Sequence, residues 1–89
     1  MRKPIIEIRG FLTNKFIFLI YDRGSEYKSD RFYWDMKSRN GEIVSSSFGM
    51  NNLEACIKTI KSIIKWQRIN QRFRIFDRRK RKLIKANLI

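Results

Sequence analysis

The chain has 89 residues, no histidine, one cysteine and a formal net charge of +13, which suits one small domain and narrows its chemistry. Without histidine, His-based catalytic triads and zinc catalysis are set aside, and a lone cysteine cannot make an intrachain disulfide. The charge is uneven: residues 1–66 hold 12 Lys/Arg and 7 Asp/Glu, while residues 67–89 hold 9 and 1, an asymmetry that points to a polyanion or an acidic partner.

Residues 1–14 begin with Arg2 and Lys3, like the charged end of a leader, but Glu7 and Arg9 interrupt the apolar stretch. Cytoplasmic residence is therefore expected. Residues 15–21, KFIFLIY, carry apolar side chains at both parities. They read as a central strand covered on both faces. One cover is a helix; residues 1–14, also readable as an added strand, or a second copy of the chain would supply the other. Seven residues are too few to span a membrane, which takes about 20 apolar residues.

After a long turn over residues 22–30 comes Arg31-Phe32-Tyr33-Trp34-Asp35-Met36-Lys37, then Asn40-Gly41, then Glu42-Ile43-Val44-Ser45-Ser46-Ser47. Asn-Gly is the strongest two-residue hairpin signal, since a type I′ turn needs positive φ at both central residues. With Asn40-Gly41 as the loop, Arg39 faces Glu42, Ser38 faces Ile43, Met36 faces Ser45 and Trp34 faces Ser47. One face then carries Phe32, Trp34, Met36 and Ile43. Gly49 breaks the strand, and Asn51 with Glu54 three residues later resembles a capping box. From there Leu53, Cys56, Ile57, Ile60, Ile63 and Ile64 form an i, i+3, i+4, i+7 stripe. Glu54, Lys58, Lys61 and Lys65 take the solvated side. Cys56 lies on the stripe and reads as a small core residue.

The hairpin-and-helix pattern resembles the YegP-like family of small bacterial and phage proteins, whose function is uncharacterised. The residues that carry the resemblance are Phe18, Ile20 and Tyr21; Phe32, Trp34, Met36, Lys37, Asn40, Gly41, Glu42, Ile43 and Val44; Gly49; and Ala55, Cys56, Ile60, Ser62 and Ile63. They cover about residues 16–66. The resemblance implies a β-β-β-α unit, often a tandem repeat, with a short strand after the helix. This chain has one copy, a longer first turn, Tyr33 and Asp35 where members often carry Arg, an extra N-terminal segment and a basic tail. A single copy points toward a homodimer. The family supplies no activity to transfer.

Beyond the helix, Arg72-Phe73-Arg74-Ile75-Phe76 alternates basic and apolar residues and reads as a fourth strand. A rival parse continues the helix past Trp66, because no Gly or Pro follows Gly49. Arg78, Arg79, Lys80, Arg81 and Lys82 are five consecutive cations, and Leu83, Ile84, Leu88 and Ile89 offer an apolar side to one or two helical turns. The run has three readings. It is a solvated tail, a phosphate-contacting arm supported by Arg68, Arg72, Arg74 and Lys85, or a contact for an anionic membrane or acidic protein. Arg31, Tyr33, Lys37 and Arg39 form a second candidate surface on which Tyr33 would stack on a base. There the alternative is a solvated strand face, with Asp35 opposing anions.

Gly10, Gly24, Gly41 and Gly49 are isolated and form no phosphate loop, and Asp22, Asp30 and Asp35 show no paired-carboxylate pattern. No enzymatic activity, cofactor or metal is expected. The expected fold is α+β, a three- or four-stranded antiparallel sheet with one amphipathic helix on one face. Residues 15–76 form the domain, and residues 77–89 a basic extension. The expected function is nucleic-acid binding, to DNA or RNA, through the cationic C-terminal region. The alternative is a protein-interaction module, either docking on an acidic host protein or pairing strands in a homodimer.

Overall fold

The structure, a computed structural model, describes residues 3–10, 16–66 and 73–85. Its elements in chain order are β1 (Ile6–Gly10), β2 (Phe16–Asp22), β3 (Phe32–Ser38), β4 (Ile43–Ser46), α1 (Leu53–Trp66), β5 (Phe73–Asp77) and β6 (Lys82–Lys85). The strands make one antiparallel sheet in the order β4-β3-β2-β1-β5-β6. The α+β class holds, but the sheet has six strands where three or four were expected. Two segments account for the difference. The N-terminal segment enters the sheet as β1 and does not lie over β2 as a second cover. Of residues 83–89, expected as one or two helical turns, residues 83–85 instead join Lys82 as β6 and pair with β5, and residues 86–89 lie outside the described residues. Phe73–Asp77 form strand β5, and Arg72, the first residue of the expected fourth strand, lies with residues 67–71 outside the described residues.

The inner face is set by parity. Phe18 and Ile20 on β2, Trp34 and Met36 on β3, Ile6 and Ile8 on β1 and Ile75 on β5 are all buried beneath Cys56, Ile60 and Ile64 of α1. Phe18 and Trp34 meet edge to face, with ring centroids 5.8 Å apart. Burying each such side chain contributes about 1.5–3 kcal/mol, so this layer supplies most of what holds the sheet to the helix. The helix stripe behaves as its spacing predicts. Its cap sits one residue later than expected: Asn52 Oδ1 accepts from the N–H of Ala55 at 2.7 Å. Asn52 is thus the N-cap, and Glu54 faces the positive end of the helix without closing a capping box.

The β3–β4 turn corrects the expected register. Gly41 N–H donates to Ser38 O at 3.0 Å, and Ser38 N–H to Glu42 O at 2.9 Å. The Ser38 hydroxyl also donates to Asn40 Oδ1. Gly41 has φ +87°, whereas Asn40 is not among the residues with positive φ. Type I′ needs both residues positive; a type I turn followed by a left-handed glycine, with its bulge, needs only the second. Met36 still faces Ser45, but a bulge follows, and Ile43 faces Lys37 in place of Ser38. Ile43 therefore leaves the aromatic face and is 59% exposed. Farther along, Trp34 O accepts from Ser47 N–H at 2.9 Å, as the expected pairing requires.

Gly49 has a different role, set by close approach. A Cβ there would lie 2.3 Å from Asp30 Cβ and 2.8 Å from Asp30 O. This contact brings Met50 against Phe32, and the two exchange backbone hydrogen bonds of 2.9 and 2.6 Å.

Candidate nucleic-acid interface

The face of the sheet away from α1 carries no second layer among the described residues. The strand register orders its side chains in rows. One row runs Ile43, Lys37, Ile17, Arg9, Arg74 across β4, β3, β2, β1 and β5. The next runs Ser46, Asp35, Leu19, Glu7, Phe76, Leu83. In a third, Tyr21 and Tyr33 stack with centroids 5.0 Å apart and planes 12° from parallel. The Arg23 guanidinium lies 4.9 Å from the Tyr33 ring. Leu19 and Tyr21 are buried on this face although no helix covers them. Tyr33 stacks on Tyr21, and Asp35 and Glu7 flank Leu19 in register.

Two carboxylates temper this basic surface. Glu7 lies 3.3 Å from Arg9 and 3.9 Å from Arg78. Asp35 accepts from the Ser46 hydroxyl at 2.6 Å. Burial pushes the Tyr21 hydroxyl above its ordinary pKa; Asp35 adds to the shift and Arg78 opposes it. Tyr21 is therefore neutral at pH 7, a flat apolar body among charges.

The five-cation run is the tip of the β5–β6 hairpin, and Asp77 builds it. This buried carboxylate accepts from the N–H groups of Arg79 at 2.9 Å and Lys80 at 3.3 Å. The Arg79 guanidinium closes on it with two contacts of 3.3 Å. An Asp that caps its own following backbone is a common turn device. The Arg79 hydrogen bond, aided by the two backbone N–H groups, holds the Asp77 carboxyl below the usual carboxylate range. Arg81 completes the turn with φ +51°.

The expected site residues thus separate. Lys80, Arg81 and Lys82 are exposed at the tip, while Arg79 folds back onto Asp77. Arg78 donates its N–H to Ile5 O at 2.9 Å and leans toward Glu7. Arg74 sits on the open face. Lys85 is a β6 strand residue, and Arg68 and Arg72 lie outside the described residues.

The second candidate surface divides as well. Tyr33 and Lys37 are on the open face. Arg31 is committed to Asp22 through Nε–Oδ1 at 2.8 Å and Nη2–Oδ2 at 2.9 Å, and Arg39 lies in the exposed β3–β4 turn. Tyr33 stacks on Tyr21 with Arg23 against its ring, so the stack presents a guanidinium where a bare ring was expected. Arg9, Arg23 and Phe76 were missed as site residues. Arg9 shows the signal that was available, since it alternates with Ile8 in a strand-like run. Its row partners come from β2 and β5, far away in the chain.

Among the described residues no three His, Cys, Asp or Glu side chains gather as a metal site. No helix there is long and apolar enough to cross a membrane. Compared with family models, with curated proteins and with solved structures, the chain finds no significant match in any of the three.

Proposed function

We propose that this chain is a non-enzymatic nucleic-acid-binding protein that takes a single strand across its open sheet face, with the β5–β6 tip gripping the same backbone. The observation that carries the reading is that the row Lys37, Ile17, Arg9, Arg74 shares one sheet face with the Tyr21–Tyr33–Arg23 stack, which stands two rows along, beyond Asp35, Leu19 and Glu7. Neighbouring strands are about 4.8 Å apart, so Lys37 and Arg74 stand roughly 14 Å apart. That is the reach of several consecutive phosphates. Binders of single strands combine a basic track with flat groups on which bases stack, and a guanidinium plane serves as such a group. The scaffold is proposed to be of the YegP-like kind, because β2-β3-β4-α1-β5 follows the element order that the resemblance implies.

An NMR titration with a short single strand and a short duplex tests the reading at about 50 mM salt. The expected result is shifts at Arg9, Lys37, Arg74 and the tip with the single strand, and weaker shifts confined to the tip with the duplex. No shift with either rejects it.

One observation favours a second reading. β4 is a sheet edge with all four residues exposed, and Val44 and nearby Phe48 are 54% and 93% exposed. Such an edge is a template for strand pairing with a second copy. Light scattering that returns a dimer mass, lost in Val44→Lys, supports pairing; a monomer at every concentration excludes it.

A further inference from the structure

A pocket of about 480 Å³ opens at one corner of the open face, lined by Lys3, Phe76, Arg78 and Arg81. Three segments build it. Phe76 stands on β5 between Glu7 and Leu83 in register. Arg78 and Arg81 belong to the turn that Asp77 organises. Lys3 arrives because the Arg78 N–H donates to Ile5 O and ties the N-terminal segment to the turn. Arg81 holds a left-handed φ of +51°, a conformation that costs a non-glycine residue energy and clusters at functional sites.

We propose that this pocket is a nucleotide site, in which Phe76 takes the face of the base and Lys3, Arg78 and Arg81 surround the phosphate. The proposal rests on the nucleic-acid reading above and says where along the strand one nucleotide is held. Its chemistry is asymmetric in the way that ligand requires. Three cations and a single aromatic ring line it; of the nearby carboxylates, Asp77 is taken up by Arg79 and the turn N–H groups, and Glu7 reaches Arg78 only at 3.9 Å. Bare phosphate would leave the ring unused, and a neutral aromatic would leave the cations unused. The volume falls within the range of about 300–1,000 Å³ typical of small-ligand sites.

The test is an NMR titration of the full chain with adenosine 5′-monophosphate. Adenosine, inorganic phosphate and phosphatidylglycerol vesicles serve as comparison probes, and a short oligonucleotide as reference. The expected result is that the monophosphate shifts the Phe76 ring and the Arg81 amide, and binds about tenfold tighter than phosphate or adenosine. Phe76→Leu should remove that tenfold, and Lys3→Gln, outside every strand, should weaken binding by about fivefold while leaving the fold intact. Oligonucleotide binding that persists unchanged in both variants, with a silent monophosphate, overturns the pocket and leaves the wider reading standing. Silence of both probes overturns both. Vesicle binding through Lys3 and Arg81 with a silent monophosphate overturns the nucleotide assignment in favour of a lipid headgroup.

Discussion

Replacing Lys80, Arg81 and Lys82 together by glutamine separates the hairpin tip from the sheet face as the source of affinity. All three residues are exposed, so the fold should tolerate the change. The face row brings Arg9, Lys37 and Arg74, with Glu7 3.3 Å from Arg9 offsetting part of that charge. Taking two effective cations from the row and three from the tip gives about five neutralised phosphates. Counterion release on a single strand then sets a slope of about −3.5 in log K against log salt. The tip variant keeps two, a slope of about −1.4, and the pair Lys37→Gln with Arg74→Gln keeps three, about −2.1. Between 50 and 200 mM salt the parent should lose about a hundredfold in affinity and the tip variant about sevenfold. Fluorescence anisotropy with a labelled oligothymidylate measures this directly. A parent slope near zero, or both variants keeping the parent slope, refutes the reasoning.

Three further outcomes probe the scaffold. Burial pushes the Cys56 thiol up to about 11 from 9.0, so its labelling by a disulfide reagent at pH 8 should be about 100-fold slower in the folded protein than in urea; equal rates would show that the thiol is not enclosed. Gly49→Ala should cost about 1–3 kcal/mol in urea unfolding, because its Cβ would meet Asp30 at 2.3 Å and open the Phe32–Met50 bridge. A change under about 0.5 kcal/mol contradicts that packing. The Arg31 hydrogen bond, then the Gly24 N–H, hold the Asp22 carboxyl below its usual range against the opposing effect of burial. A depressed folded pKa gives stability that is complete above the ordinary carboxylate value, about 3.9, and fades as acid protonates the folded form. The deficit of Asp22→Asn should accordingly be smaller at pH 3 than at pH 7, and equal deficits would discount the ion pair.

What the chain discloses locally, it discloses well. The stripe from Leu53 to Ile64 and the parity of Phe32, Trp34 and Met36 each need only neighbouring residues to be read, and each occupies the core as its spacing requires. Asn40-Gly41 was ambiguous in a physical sense, since a left-handed glycine serves two different turns and they differ by one residue of register. That single residue decides whether Ile43 is core or surface. Asn51 and Asn52 are both able caps, and only the helix start chooses between them. The open face was legible only in part. Lys37 and Tyr33 lie in one strand, but Arg9 and Arg74 join their surface through β1, and no short-range pattern announces that β1 would stand between β2 and β5. Residues 83–85, read as the start of helical turns over residues 83–89, are too few for alternation to outweigh that reading, and their strand character comes from pairing with β5.

The position of β1 has a consequence for how the molecule assembles. The β2-β3-β4 meander and α1 follow one another directly in the chain, and so do the strands of the β5–β6 hairpin. The two groups meet in the sheet only through a strand from the opposite end of the chain, by pairs such as Ile6 with Asp77. Closing so long a loop is entropically costly and slow relative to local pairing. The meander and helix should form first and the basic hairpin should dock last, so amide exchange ought to protect β2 and β3 before β5. A chain lacking β1 would keep most of its apolar core and still lose its hold on the cationic hairpin. β1, which offers one arginine to the interface, is therefore also the splint on which the rest of that interface depends.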